Sequence, residues 1–209
     1  VLSRTHVTSF IGLTISAWML ALWAQGSPVL SAEFLKPFSI VVTIVVGIVG
    51  IFSKWAWAWP IFQGWYVKRP DIRGTWKVEL QSNWINPETG KGIPPISAYI
   101  CIRQTLTTLS LRLMTQESKS RLIAHSIELE DDGVFRLAGI YRNEPTVELQ
   151  GARSEIHHGS LLLEIYGNSV SSMEGHYWTD RNTRGTMKVT ENHNEVVDTY
   201  EAAKNTLGT

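Results

Sequence analysis

A chain of 209 residues is long enough for one ordinary domain and a short additional segment, which excludes a pair of independent soluble domains. Lys+Arg and Asp+Glu balance at 19 each, but almost no charge falls in the first sixty residues; from Pro70 onward the count is 14 against 18, a net of −4, which excludes an electrostatic footprint for long nucleic acid. Cys101 is the single cysteine, so an intrachain disulfide is excluded, and it is expected as a small buried hydrophobe.

Val7 to Ala24 carries no charge, and Phe38 to Phe52 is apolar and leads through Lys54 into Trp55, Trp57 and Trp59. Each run can cross about 30 Å of hydrocarbon at 1.5 Å per residue. The tryptophans, with Trp65 and Tyr66, suit a headgroup-level aromatic belt, with Lys54 snorkelling beside them and Pro60 ending the helix. Residues 25–37 hold Gly26, Pro28 and Pro37 and are short enough to force an antiparallel helical hairpin. That loop carries Lys36 as its one base, whereas Arg4 precedes the first run and Lys54, Lys68, Arg69 and Arg73 follow the second, so the positive-inside rule places both flanks and the following domain in the cytoplasm. A cleaved signal peptide is the competing reading of the first run, and the second apolar run weighs against it. Thr43, Gly47 and Gly50 form a small-residue stripe suited to close helix approach. The expected division is an anchor with juxtamembrane segment over 1–69 and a soluble domain over 70–209.

From Arg73 the hydrophobic period becomes two. Eight strands are expected, at 73–82, 97–105, 107–115, 120–130, 134–142, 159–167, 173–180 and 183–190. Asp131-Asp132-Gly133 and Asp180-Arg181-Asn182 are hairpin signals, and consecutive hairpins describe an up-and-down antiparallel meander. Eight such strands close into a minimal, lipocalin-like β-barrel whose interior holds packed side chains or one small ligand. Trp76, Val78 and Leu80, then Leu109, Leu111 and Leu113, then Phe135, Leu137 and Tyr141, then Met187 and Val189, are the expected inward sets. The last 18 residues are helical at most over 195–205.

With an even strand count the first strand begins and the last ends at one rim, and the preceding helix feeds that rim. The opposite rim then carries the loops 83–96, 143–158 and 180–182. Tyr99, Tyr141, Arg142, Tyr177, Thr179, Arg181, Thr183 and Arg184 converge on this mouth. Arginine forks match phosphate oxygens and tyrosine rings stack on bases, so the set suits a small nucleotide-like anion. On spacing alone the plainer reading is a solvated rim with half-buried tyrosines. Arg73 and Arg184 are further candidates to close the other end or to meet headgroups, and Gly74-x-Trp76 resembles the lipocalin signature whose Trp plugs the closed end.

Phosphate loops, zincin helices, cysteine pairs and nucleophile elbows are missing from the sequence, so no motif points to an enzyme or a bound cofactor. His157-His158 point to opposite faces of a strand and fit a surface role better than a metal site.

Two apolar helices, then Pro70-Asp71-Ile72-Arg73-Gly74-Thr75-Trp76-Lys77, then a strand-rich domain ending in Gly175-His176-Tyr177-Trp178-Thr179-Asp180-Arg181-Asn182-Thr183-Arg184-Gly185, resemble one bacterial antiphage family across nearly the whole chain. It is the SMODS-associating two-transmembrane β-strand-rich effector family, the CD-NTase-associated transmembrane β-barrel effectors of CBASS defence. The resemblance implies a non-catalytic receptor in the inner membrane whose cytosolic barrel binds a 3′,3′-cyclic dinucleotide. Binding would then drive homo-oligomerisation and disruption of the bilayer, an abortive infection. A membrane-anchored, lipocalin-like carrier of an apolar ligand is the alternative, and it requires a wholly apolar calyx.

Overall fold

The structure is a computed structural model that describes residues 4–26, 37–150, 154–167 and 169–208. It divides into two compact units, residues 1–68 and 69–209.

In the first unit, helix α1 is Arg4–Ala24 and helix α2 is Phe38–Lys54. Ala17 and Ala21 pack on Val41 and Val45. His6 meets Tyr66 beyond the end of α2, while Trp18 meets Phe38 at its start, so the two helices run antiparallel. The connecting residues 27–36, Lys36 among them, lie outside the described residues. Among the described residues one helix, Thr5–Ala24, is long and apolar enough to cross a membrane; Phe38–Lys54 is apolar but shorter, at 17 residues. Helix α2 stops at Lys54 rather than at Pro60, and a 3₁₀ turn, Ala56–Ala58, follows. That turn draws Trp57 inward to 0% exposure, while Trp55, Trp59 and Trp65 stay more than half exposed, so Trp57 leaves the expected aromatic belt. Lys54 lies over the Trp55 ring, 4.5 Å from its centre. Thr43, Gly47 and Gly50 are exposed and take no part in the contact between α1 and α2.

The second unit is a closed antiparallel barrel in sequence order. Its strands are β1 Gly74–Ser82, β2 Ile96–Gln104, β3 Leu109–Met114, β4 Ser118–Leu129, β5 Phe135–Pro145, β6 His157–Tyr166, β7 Ser172–Thr179 and β8 Arg184–His193. All eight expected strands are present, with ends that shift by a few residues because ladder pairing, not hydropathy, decides where a strand stops. Thr75 lies opposite His193, so the first strand begins and the last ends at the same rim. The Asp131–Gly133 turn closes with Gly133 at φ +86°, and the Asp180–Asn182 turn with Asn182 at φ +57°.

Alternation sets the core. Trp76, Val78, Leu137, Leu163, Met173 and Val189 are at most 1% exposed and fill the lower half of the barrel. The Trp76 indole donates to the Ile72 carbonyl at 3.0 Å, which fixes the ring across the rim where the chain enters. Gly74 has φ +120°, and a Cβ there would strike the Asn192 side chain and the His193 carbonyl. The Gly74-x-Trp76 spacing thus encodes a left-handed backbone position and a plug.

The C-terminal segment continues into helix α3, Tyr200–Leu207, capped by Thr199. It packs on Tyr99, Cys101 and Met114, which project outward from β2 and β3. Cys101 is therefore buried outside the barrel, under this strap, and burial pushes its thiol pKa up.

Candidate binding site

The upper half of the barrel is open. A cavity of about 700 Å³ descends from the rim opposite the barrel's first and last strand ends, with Leu80, Leu111, Leu161 and Met187 low on its walls and Trp84, Pro94, Leu149 and Ser154 at its lip. Roughly 300–1,000 Å³ is the range of small-ligand sites. The interior is large enough because β5 and β7 present tyrosines whose rings lie against glycines on the neighbouring strand. Tyr141 pairs with Gly159 and Tyr177 with Gly185. A Cβ on either glycine would meet the tyrosine ring, so the glycines let the rings lie back against the wall.

Burial raises the Tyr141 phenol well above its ordinary value, with Tyr177 and Asp180 adding to the shift. Burial raises Tyr177 as well, partly offset by a hydrogen bond with Ser82. Both are neutral hydroxyls at physiological pH, able to donate to an anion. Thr179 and Thr183 flank the turn between β7 and β8 with their hydroxyls 2.8 Å apart. The Arg181 backbone N–H donates to the Thr179 hydroxyl at 3.2 Å, and Arg181 Nη1 donates to Ser154 Oγ at 2.9 Å. Its other N–H groups have no partner among the described residues and are available to an anion at the lip.

Five of the eight candidate residues line the cavity: Tyr141, Tyr177, Thr179, Arg181 and Thr183. Three do not. Tyr99 points outward, 3% exposed, against Tyr200 of α3, because β2 turns Ile96, Ala98, Ile100 and Ile102 inward. Arg142 alternates with the inward Tyr141 and pairs with Glu144 on the outer wall at 3.1 Å. Arg184 lies opposite the outward Trp178, at the mouth end of β8 and so at the opposite rim from Arg73. Arg73 itself is held by Asp71 at 2.6 Å.

Sequence reasoning missed Asn143. It is 8% exposed, two residues beyond Tyr141 on the same inward face of β5. Its Nδ2 donates to Ser118 Oγ at 3.1 Å and to Ser120 Oγ at 2.8 Å. Both amide hydrogens are thereby used, and Oδ1 is an acceptor with no partner among the described residues. The Tyr141-x-Asn143 spacing carried this signal, but ending the strand at residue 142 hid it. Of the two histidines, His157 lines the mouth and His158 faces Asp180 outside at 3.9 Å. The described residues contain no group of three potential metal ligands.

The calyx is apolar below and polar above, with Ser118, Ser120, Asn143, Thr179, Thr183 and Arg181 at the upper level. This is not the wholly apolar calyx that a carrier of an apolar ligand requires. A closed barrel with a preformed, polar-lipped cavity defines a small-ligand-binding β-barrel protein. Residues 67–191, more than half of the chain, match the family described as Cap15, cyclic dinucleotide receptor domain, and the chain belongs to that family. No curated protein matches it. The family is a receptor family of CBASS effectors and not a catalytic one, so the barrel is a cyclic dinucleotide receptor domain.

Proposed function

We propose that this chain is a ligand-triggered membrane effector of antiphage defence. Its barrel, 70–209, lies in the cytosol and takes a 3′,3′-cyclic dinucleotide into the mouth cavity. Tyr141 and Tyr177 stack on or donate to the ligand, Arg181 with Thr179 and Thr183 receives phosphate, and Asn143 Oδ1 accepts from a base edge. Both helices of the anchor, 1–69, cross the inner membrane, α2 with the exposed Trp55 and Trp59 at the interface. Occupancy of the cavity favours the self-associated state, and the assembled helices breach the bilayer, ending the infection with the cell. A receptor of this kind needs no chemistry, only a ligand that binds one state better than the other.

The observation that carries the reading is the polar-lipped cavity of about 700 Å³ in a domain of the cyclic dinucleotide receptor family, joined in one chain to an apolar helical unit. The test is calorimetry of the full chain in detergent against a panel of cyclic dinucleotides, followed by dye release from liposomes containing the protein. Saturable binding of at least one member and release that depends on it are expected. Absence of binding across the panel would sink the receptor assignment of this cavity, and binding without release would sink the membrane step.

A further inference from the structure

Strand β4 is longer than the neighbour it needs. On one side it pairs with β5 along its whole length, from Ser118 opposite Pro145 to Leu129 opposite Phe135. On the other side β3 covers only Lys119, Ser120 and Arg121. From Leu122 to Leu129 the β3-facing edge has no strand partner and, among the described residues, no backbone hydrogen bond outside the ladder with β5. Arg69 reaches the nearby turn, but its Nη1 donates to the Leu106 carbonyl. Eight residues at about 3.3 Å each give an open edge of about 26 Å. Ala124, His125, Ser126 and Glu128 along it are exposed. The stretch contains neither Lys nor Pro, the residues that usually block pairing of an edge with another chain.

The composition of the edge matches itself in reverse. Lys119 and Arg121 stand at its start, and Glu130, Asp131 and Asp132 beyond its end. A β-bulge between Leu122 and Ala124 makes Ile123 an extra residue, so side chains before it keep the pleat only when counted one place on. With that correction, a two-fold axis through Ser126 sets Ser126 opposite Ser126 of a second copy. It also sets Ala124 opposite Glu128, Leu122 opposite Leu129, and Arg121 opposite Glu130. Every pair projects from the same face of the extended sheet, as the pleat requires, and opposite charges meet at both ends.

We infer that the lower edge of β4 is a self-association surface, pairing antiparallel with the same edge of a second copy of this chain. The inference rests on the proposed function for the role of association, and the structure supplies its place. The upper half of β4 contributes Ser118, Ser120 and Leu122 to the cavity wall, so ligand and edge share one strand and meet at Leu122, beside the bulge. An isologous contact closes a dimer, so larger assemblies need a second contact.

The test uses the full chain in detergent, in a Cys101→Ser background, with Ser126→Cys on the proposed axis and Ser160→Cys on the outer face of β6 as control. Directly opposed residues have Cβ atoms about 4.5–5.5 Å apart, within reach of a disulfide after slight adjustment. Mild oxidation should give about tenfold more disulfide-linked dimer from Ser126→Cys than from the control, and more with cyclic dinucleotide than without. Ser126→Lys, which sets like charges opposite each other on an exposed site, should abolish association and leave ligand affinity within about twofold. Wild-type association with no preferential cross-link, or association undiminished by Ser126→Lys, overturns this proposal alone. A wild-type chain that binds ligand yet stays monomeric overturns it together with the association step of the proposed function, and leaves the receptor assignment standing.

Discussion

Asn143 is the residue whose removal should be felt most specifically. Asn143→Leu roughly keeps the volume, but it removes the acceptor at the cavity together with the amide donors to Ser118 and Ser120. Affinity for the best cyclic dinucleotide should fall by about 1–3 kcal/mol, with discrimination among bases narrowing, as calorimetry across the panel would register. An unchanged base preference would remove Asn143 from ligand recognition. The contrast with Tyr99, Arg142 and Arg184 shows where reading the sequence reached its limit. Alternation within one strand gives two faces but names the inner one only when a single face is apolar. On β5 and β7 the tyrosines and threonines declare their side. On β2 both faces are apolar, Ala98, Ile100 and Ile102 on one and Tyr99, Cys101 on the other, because the C-terminal strap buries the outer face too. Nothing local to β2 announces that strap, and so Tyr99 read as a mouth residue.

At the scale of elements, the strap is held by both packing and charge. Arg103 donates to both carboxylate oxygens of Asp198, at 2.8 and 2.7 Å, and Arg112 stands 3.5 Å away. The hydrogen bond from Arg103 leads the effects that hold the Asp198 pKa below its ordinary value. A carboxylate with a lowered folded pKa contributes stability that is present above the unfolded value, about 3.9, and is lost as pH falls through the folded one. The pair is half exposed, so the contribution is below about 1 kcal/mol. Labelling of Cys101, the one thiol and 1% exposed, reports the strap directly. Because only the thiolate reacts, the rate is read relative to a free thiol at the same pH; that ratio should rise as pH drops from about 5 to about 3, and severalfold at neutral pH in Arg103→Ala. A ratio indifferent to both changes would mean that packing alone seats the strap. The eight strands themselves were legible, because turn signals and a period of two recur eight times. The bare edge of β4 was not, since it depends on how late β3 comes alongside it, at Arg112, and hydropathy does not encode the length of a neighbour.

For the whole molecule, the division of labour is testable by exchange. Replacing residues 1–68 with an unrelated helical hairpin should leave cyclic dinucleotide affinity unchanged and abolish toxicity in cells carrying the activating ligand; persistent toxicity would reduce the native helices to a tether. The composition split between the first sixty residues and the rest made this division readable early, whereas 17 residues in α2 leave the second crossing to be argued from its aromatic flank. One property of the barrel reaches further. Both covalent connections leave by the rim where Thr75 meets His193, and the cavity opens at the other. The described residues 83–95, 115–117, 146–150, 154–156 and 180–183 around that opening carry neither connection, and doubling the length of such a loop costs only about 0.6 kcal/mol. Ligand preference can therefore drift by insertion and exchange in these loops while the barrel's attachment to its anchor stays constant, the arrangement expected of a receptor that must follow a changing repertoire of signals.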